Sequence, residues 1–257
     1  MLPVSGIEFV VREPTGLDEL YIVENSLAPM PALLGLASRV ARTSSGAEVD
    51  WAGIPAADLG AAALIIRRTW LGDVISTDAR CPESACGERI DVTFGIGDYI
   101  RHHRPRRPRS LGETADVGWF ALAGTEVQFR IPTVGDVLAA QSDDAPTDEL
   151  FRRCVRTERS LRARALARRL DRALSALAPS LNDLVGGGCP ACGQQIELRF
   201  DPIGYTLADL RNTFAGIHYQ THAIAAAYGW PEDVILALPR RRRGSYASII
   251  ADERSVA

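Results

Sequence analysis

The chain carries one short motif twice, and each copy opens with a cysteine followed by a glycine. Cys86-Gly87-Glu88-Arg89-Ile90-Asp91-Val92-Thr93-Phe94 runs on to Tyr99, and Cys192-Gly193-Gln194-Gln195-Ile196-Glu197-Leu198-Arg199-Phe200 runs on to Tyr205. Cys, Gly, Ile, Phe and Tyr fall in register without a gap. A further cysteine precedes each copy, Cys81 in CPESACG and Cys189 in CPACG. Two cysteines ahead of a strand, closed by glycine, form a zinc knuckle, and two knuckles supply the four thiolates of a closed structural site. The spacing therefore assigns one structural zinc to Cys81, Cys86, Cys189 and Cys192. The competing readings are metal-free buried thiols and a disulfide. Four thiolates leave no open position for water, so a catalytic metal is not expected.

The duplication extends upstream. Ile7 to Arg12 is a strand-like run that leads into Pro14-Thr15, with Asp18 three residues after the threonine. Val127 to Ile131 leads likewise into Pro132-Thr133, with Asp136 in the matching place. Thr followed by an acid at the third position is a capping box, so a helix is expected to start after each Pro-Thr. Each half then reads strand, capped helix, further helix, knuckle, strand. The alternation of Ile90, Val92 and Phe94, repeated in Ile196, Leu198 and Phe200, has the period of half-buried strands.

The expected fold is α+β: two pseudo-symmetric strand-helix-knuckle halves sharing one zinc, with a C-terminal helical tail. The first half covers residues 1–100 and the second 117–206. A basic, proline-broken linker over 101–116 joins them, and the tail covers 207–257. Helical spacing of Leu59, Ala63, Ile66 and Trp70 predicts a helix over 55–71. A long arginine-rich helix is expected over 147–178, with Leu150, Cys154, Leu161, Leu170, Leu174 and Leu177 on its apolar stripe. Gly186-Gly187-Gly188 is expected to end that helical region, and Gln141 to Asp148 reads as a surface connection. In the tail, helices are expected over 207–228, from Trp230-Pro231 and from Leu238-Pro239.

Charge and composition bound the function. A net charge of −3 and 46% hydrophobic content describe a globular chain with no general electrostatic pull toward nucleic acid. No apolar run reaches a membrane span, and the N-terminus lacks the basic and apolar regions of a signal peptide. With four of five cysteines in knuckles, reduced thiols in the cytoplasm are expected. No phosphate-binding loop, nucleophile elbow or paired-carboxylate motif is present, so neither an enzyme nor a small-molecule substrate is indicated. Cys154 reads as a packed small hydrophobe. His218 and His222, four apart, read as helix-surface or packing residues, and His102 and His103 as solvated. Arg240, Arg241, Arg242 and Arg243 at a helix start oppose the helix dipole. They are read as an outward-projecting partner-binding cluster, with a solvated face and nucleic-acid contact as the alternatives.

The order of strand with Arg-Glu-Pro-Thr, helices, knuckle and Ile-Asp/Glu-Val/Leu-x-Phe strand resembles the baseplate hub assembly proteins of T-even-type phages. Relatives of these occur in phage-tail-like contractile injection systems. The stretch AYGWPEDVILALPRRRRGSY, within 222–250, is similar to a segment of small tail and baseplate assembly proteins from those systems. The resemblance implies a non-enzymatic assembly chaperone or minor component of a contractile baseplate hub. Its partners would be baseplate hub or tail proteins, and its metal ligands Cys81, Cys86, Cys189 and Cys192. A zinc-ribbon nucleic-acid binder is the rival reading.

Overall fold

The computed structural model describes residues 1–109, 111–157 and 164–256. It is a mixed α+β chain. In order the elements are β1 (Phe9–Val11), α1 (Gly16–Glu24), α2 (Pro29–Val40), β2 (Ala41–Thr43) and α3 (Asp58–Leu71). There follow β3 (Val74–Arg80), β4 (Arg89–Gly95), α4 (Ile96–His102), β5 (Leu111–Glu113), β6 (Trp119–Leu122) and β7 (Gln128–Arg130). Then come α5 (Val134–Gln141), α6 (Pro146–Cys154), β8 (Val155–Arg156), α7 (Arg164–Leu177), β9 (Asp183–Gly188) and β10 (Gln195–Phe200). The chain finishes with α8 (Pro202–Phe214), α9 (Ile217–Tyr228), α10 (Glu232–Ala237) and α11 (Arg240–Val256). No helix among the described residues is long and apolar enough to cross a membrane.

The elements gather into two compact units, each built from separate stretches of chain. One holds Met1–Glu8, Asp50–Ala62 and Asp73–Asp201; the other holds Phe9–Val49, Ala63–Gly72 and Pro202–Ala257. The first unit contains a four-stranded antiparallel sheet in the order β5-β6-β7-β8 and two antiparallel hairpins, β3-β4 and β9-β10. Helix α7 covers the four-stranded sheet. Its Leu170, Ala173 and Leu177, at helical spacing, pack with Leu122, Val127, Phe129 and Val155. The second unit is mostly helical, with the short pair β1-β2. Its tail has its own small core of Ala223, Ile224, Ile235 and Ile250, against which Trp230 and Tyr246 pack.

The two Pro-Thr helix starts are built alike, one in each unit. In the first unit the Arg130 guanidinium lies on the Asp136 carboxylate, with Nη2 2.7 Å from Oδ1. Asp136 also accepts the Thr133 N–H at 2.9 Å, and the Thr133 hydroxyl accepts the Asp136 N–H at 3.2 Å. In the second, Arg12 grips Asp18 with both nitrogens, and Asp18 accepts the Thr15 N–H at 2.8 Å. A proline-bearing segment pairs with each start. The Ala56 N–H donates to the Pro132 carbonyl, and the Arg240 N–H donates to the Pro14 carbonyl. The capping boxes expected from sequence are therefore both present.

Arginine and the threonine donors favour the ionised form of Asp136, and its pKa lies well below the ordinary 3.8 despite the opposing cost of burial. A depressed carboxylate pKa contributes stability above the ordinary value and loses it as the pH falls below it. Asp136→Asn is therefore expected to cost about 2 kcal/mol at neutral pH. Thermal melts should show that deficit shrinking below pH 3.8; a deficit independent of pH would mean that shape, not charge, matters there.

Three expectations are corrected. The helix expected over 147–178 is two helices, α6 and α7. Between them Val155 and Arg156 pair with Phe129 and Gln128 of β7, because completing a sheet edge outweighs local helix propensity. Leu161 lies outside the described residues. Gly186-Gly187-Gly188 is not a helix stop but part of strand β9, hydrogen-bonded opposite Glu197, Ile196 and Gln195. The helix expected over 207–228 is likewise two, α8 and α9. Residues 141–148 are exposed throughout, as expected of a surface connection, but only 142–145 connect, since Gln141 ends α5 and Pro146 begins α6.

Candidate metal centre

All four knuckle cysteines belong to the first unit, at the tips of its two hairpins. In the β3-β4 hairpin seven residues pair, from Val74 opposite Gly95 to Arg80 opposite Arg89. The Cys81 N–H then continues the ladder to the Glu88 carbonyl at 2.8 Å. In the β9-β10 hairpin the Cys189 N–H meets the Gln194 carbonyl at the same 2.8 Å. Each turn closes on a glycine in the left-handed region, Gly87 at φ 59° and Gly193 at φ 76°. A side chain there costs roughly 1–2 kcal/mol, which explains the Cys-Gly pairing in both copies.

The unequal spacing of the two knuckles is absorbed locally. In the second, the Gly193 N–H reaches back to the Cys189 carbonyl; in the first, the Gly87 N–H reaches back to the Glu83 carbonyl. Glu83 thus takes the backbone role of the first cysteine of the tighter knuckle. Cys81, two residues earlier, keeps the hairpin hydrogen bond and still turns its sulfur inward.

The four Sγ atoms all lie within 4.8 Å of one another. Cys81 is 3.6 Å from Cys192, and Cys86 is 3.8 Å from Cys189. Metal–sulfur bonds of about 2.3 Å in a tetrahedron place sulfurs roughly 3.8 Å apart, so the set is sized to receive a tetrahedral ion. A disulfide would need about 2.05 Å, and all four thiols are free. Cys81 and Cys189 are buried, Cys86 is half-buried and Cys192 exposed. Ile196 is the buried apolar partner of the cluster, with Ala79 and Ile90 packed beside it. Among the described residues this is the one group of three or more His, Cys, Asp or Glu side chains placed to share an ion.

The thiols differ in how readily they ionise. Burial pushes the Cys81 thiol up to about 12, with the neighbouring cysteines adding to it and a backbone hydrogen bond at Glu83 opposing. Cys189 moves the other way, to about 7. Burial opposes this shift, but backbone hydrogen bonds at Cys192 and Ala191, and the thiols of Cys192 and Cys81, outweigh it. Because the Cys81 and Cys86 thiols are both shifted up, a cation bound by the cluster must displace their protons.

An aromatic and polar support lies between the hairpins and α4. Phe94, Tyr99 and Phe200 stack with centroids 5.1–5.3 Å apart. The Tyr99 hydroxyl donates to the Leu181 carbonyl at 2.6 Å. His103 is not solvated as expected but buried, with Nδ1 2.9 Å from the Tyr99 carbonyl and Nε2 3.2 Å from Asp183. The signal for it was in the sequence. His103 lies four residues after Tyr99, one helical turn on.

The other candidates separate. Cys154 is buried, 3.7 Å from Asp136, and burial pushes its thiol up to about 11, so it is a packed thiol. His218 and His222 are exposed on α9, and His218 faces Glu24 at 3.7 Å. The arginine cluster is divided. Arg241 and Arg242 are exposed. The guanidinium of Arg240 lies 4.6 Å over the Phe214 ring and is partly exposed. Arg243 does not project outward: its side chain is fully buried and ion-paired to the nearly buried Glu19. It also donates to the Leu238 carbonyl at 3.2 Å and to Gln220 Oε1 at 3.3 Å. In comparisons with known proteins, no family model, no curated protein and no solved structure matches the chain.

Proposed function

We propose that this chain is a non-enzymatic assembly chaperone or minor component of the baseplate hub of a contractile phage tail or injection system, stapled by one structural zinc. The observation that carries the structural half of this reading is the convergence of four thiols from two hairpins distant in sequence. With all four positions taken by protein sulfur, an ion here has no place for water or substrate and serves to hold the chain together. Zinc is the ion best suited to four thiolates in a tetrahedron without redox chemistry. The matching hairpin closures and the matching Arg-Pro-Thr-Asp starts support an origin of the two halves by duplication. The partner class comes from the resemblance of the Arg-Glu-Pro-Thr start and of the 222–250 stretch. The exposed Arg241 and Arg242, with the partly exposed Arg240, are the candidate contacts of that tail.

The rival reading, a zinc-ribbon nucleic-acid binder, is less well supported. Trp119 of the first unit already carries the Arg156 guanidinium 3.7 Å over its ring. The face a base would stack on is thus taken. Affinity purification of the tagged chain, co-expressed with its neighbouring genes, should recover a tail or baseplate protein. Recovery of none, with the chain itself folded and soluble, contradicts the assembly reading.

A further inference from the structure

The first unit carries a basic groove that the metal centre does not use. It is about 430 Å³ in volume and is lined by Pro108, Leu122, Arg169, Arg172 and Ala173. The loop before β5 forms one wall, tied to α7 by the Arg106 N–H, which donates to the Ala176 carbonyl at 2.7 Å. Helix α7 forms the other. Leu122 and Ala173 at its base are themselves buried in the core beneath. Its arginines are Arg169 and Arg172; Arg168 precedes Arg172 by one turn of α7, and the Arg106 backbone is bonded to the same helix. Arg106, Arg168 and Arg172 are exposed, and among the described residues none of the three has a carboxylate partner. Arg172 is held along the helix by a hydrogen bond from its Nε to the Arg168 carbonyl, and Arg169 reaches the Ala123 carbonyl at 2.7 Å. The one acid on α7, Asp171, lies beyond Arg168 on the flank away from Arg169 and Ala173.

We infer that this groove, with the exposed Arg168 and Arg172 of α7 beside it, is a docking site for an acidic helical segment of a partner protein. Arg168 and Arg172 are four residues apart on α7, one turn or roughly 6 Å along its axis. A segment with carboxylates one turn apart matches that spacing, and guanidinium forks pair carboxylates with two parallel hydrogen bonds. None of the lining side chains is aromatic, so the stacking that holds single-stranded nucleic acid is missing. The inference deepens the assembly reading by giving it a second contact surface and a partner chemistry.

Fluorescence anisotropy with a labelled 14-residue peptide of Glu and Leu at helical spacing tests it on the full chain. The peptide should bind, more weakly as salt is raised. Arg168→Glu/Arg172→Glu should weaken binding at least about tenfold, since two exposed pairs are lost and replaced by repulsion. Arg168→Gln/Arg172→Gln should give a smaller loss, and Arg241→Glu/Arg242→Glu should stay within about twofold. Melting temperature and bound metal should be unchanged in all three. Equal binding by the wild type and the α7 charge-reversal variant overturns the inference. So does tighter binding of a 14-nucleotide oligo(dT) than of the peptide, lost in the same variant, because the groove would then be a nucleic-acid track. The assay contains no tail protein, so its failure is separate from failure to recover a baseplate partner.

Discussion

Arg243→Ala is expected to cost about 3–5 kcal/mol, the usual penalty for leaving one charge of a buried pair without its partner. For a chain of this size that is a fall in melting temperature of roughly 10 °C. The cause is Glu19, whose side chain is 3% exposed on α1 and faces Arg243 at 0% on α11. Burial raises the Glu19 pKa above its ordinary 4.5, and the nearby Arg243 and Arg240 offset this only in part. A raised carboxylate pKa gives stability that is complete below the ordinary value and lost as the pH climbs through the raised one. Removing Arg243 raises it further, so the deficit of the variant should be largest at neutral pH and shrink toward pH 4.5 and below. Replacing both members, Glu19→Leu with Arg243→Met, should recover most of the loss because no buried charge remains. A single variant that melts with the wild type, or a double variant less stable than the single, would sink this account of the tail. Replacing all four arginines together is thus no clean test of a surface; Arg240, Arg241 and Arg242 must be changed without Arg243.

The second large effect belongs to the metal centre. Cys189→Ser should abolish stoichiometric metal binding, and the metal's binding free energy is lost from folding with it. All four ligands lie in the first unit, and the second contains no cysteine. Calorimetry should therefore resolve a transition lowered by about 10 °C or more, separate from one that barely moves. A chelator at neutral pH should act like the mutation. Acid should do the same, because each thiolate that is protonated ceases to be a ligand. Cys154→Ser, by contrast, should leave the metal in place. A wild-type melting profile for Cys189→Ser would show that the four sulfurs converge without holding anything.

The knuckles were legible because their requirements are local. A thiol pair, a glycine free to adopt positive φ and an alternating strand all sit within about ten residues. The Pro-Thr starts were legible for the same reason, since Thr15 with Asp18 and Thr133 with Asp136 close within one turn. What stayed hidden depended on partners far away in sequence. Val155 and Arg156 lie in a helix-forming, arginine-rich context, yet they leave it to pair with β7. Gly186 to Gly188 look like chain breakers, yet they form a ladder with β10 that leaves little room for a side chain at Gly186, where a Cβ would sit 3.2 Å from the Ile196 carbonyl. Within the four-arginine run only the helical phase separates Arg243 from its neighbours. It lies three and seven residues before Tyr246 and the buried Ile250, on the face that α11 turns inward. The assembly of each unit from discontinuous stretches has no local signature at all.

Metal content combined with X-ray absorption at the metal edge decides whether one ion is held by four sulfurs drawn from both knuckles. Purified chain should carry about one zinc, with four sulfur neighbours at about 2.3 Å. Two zincs per chain, or a shell containing nitrogen or oxygen in place of sulfur, would mean that each knuckle recruits its own ligands and that no shared site exists.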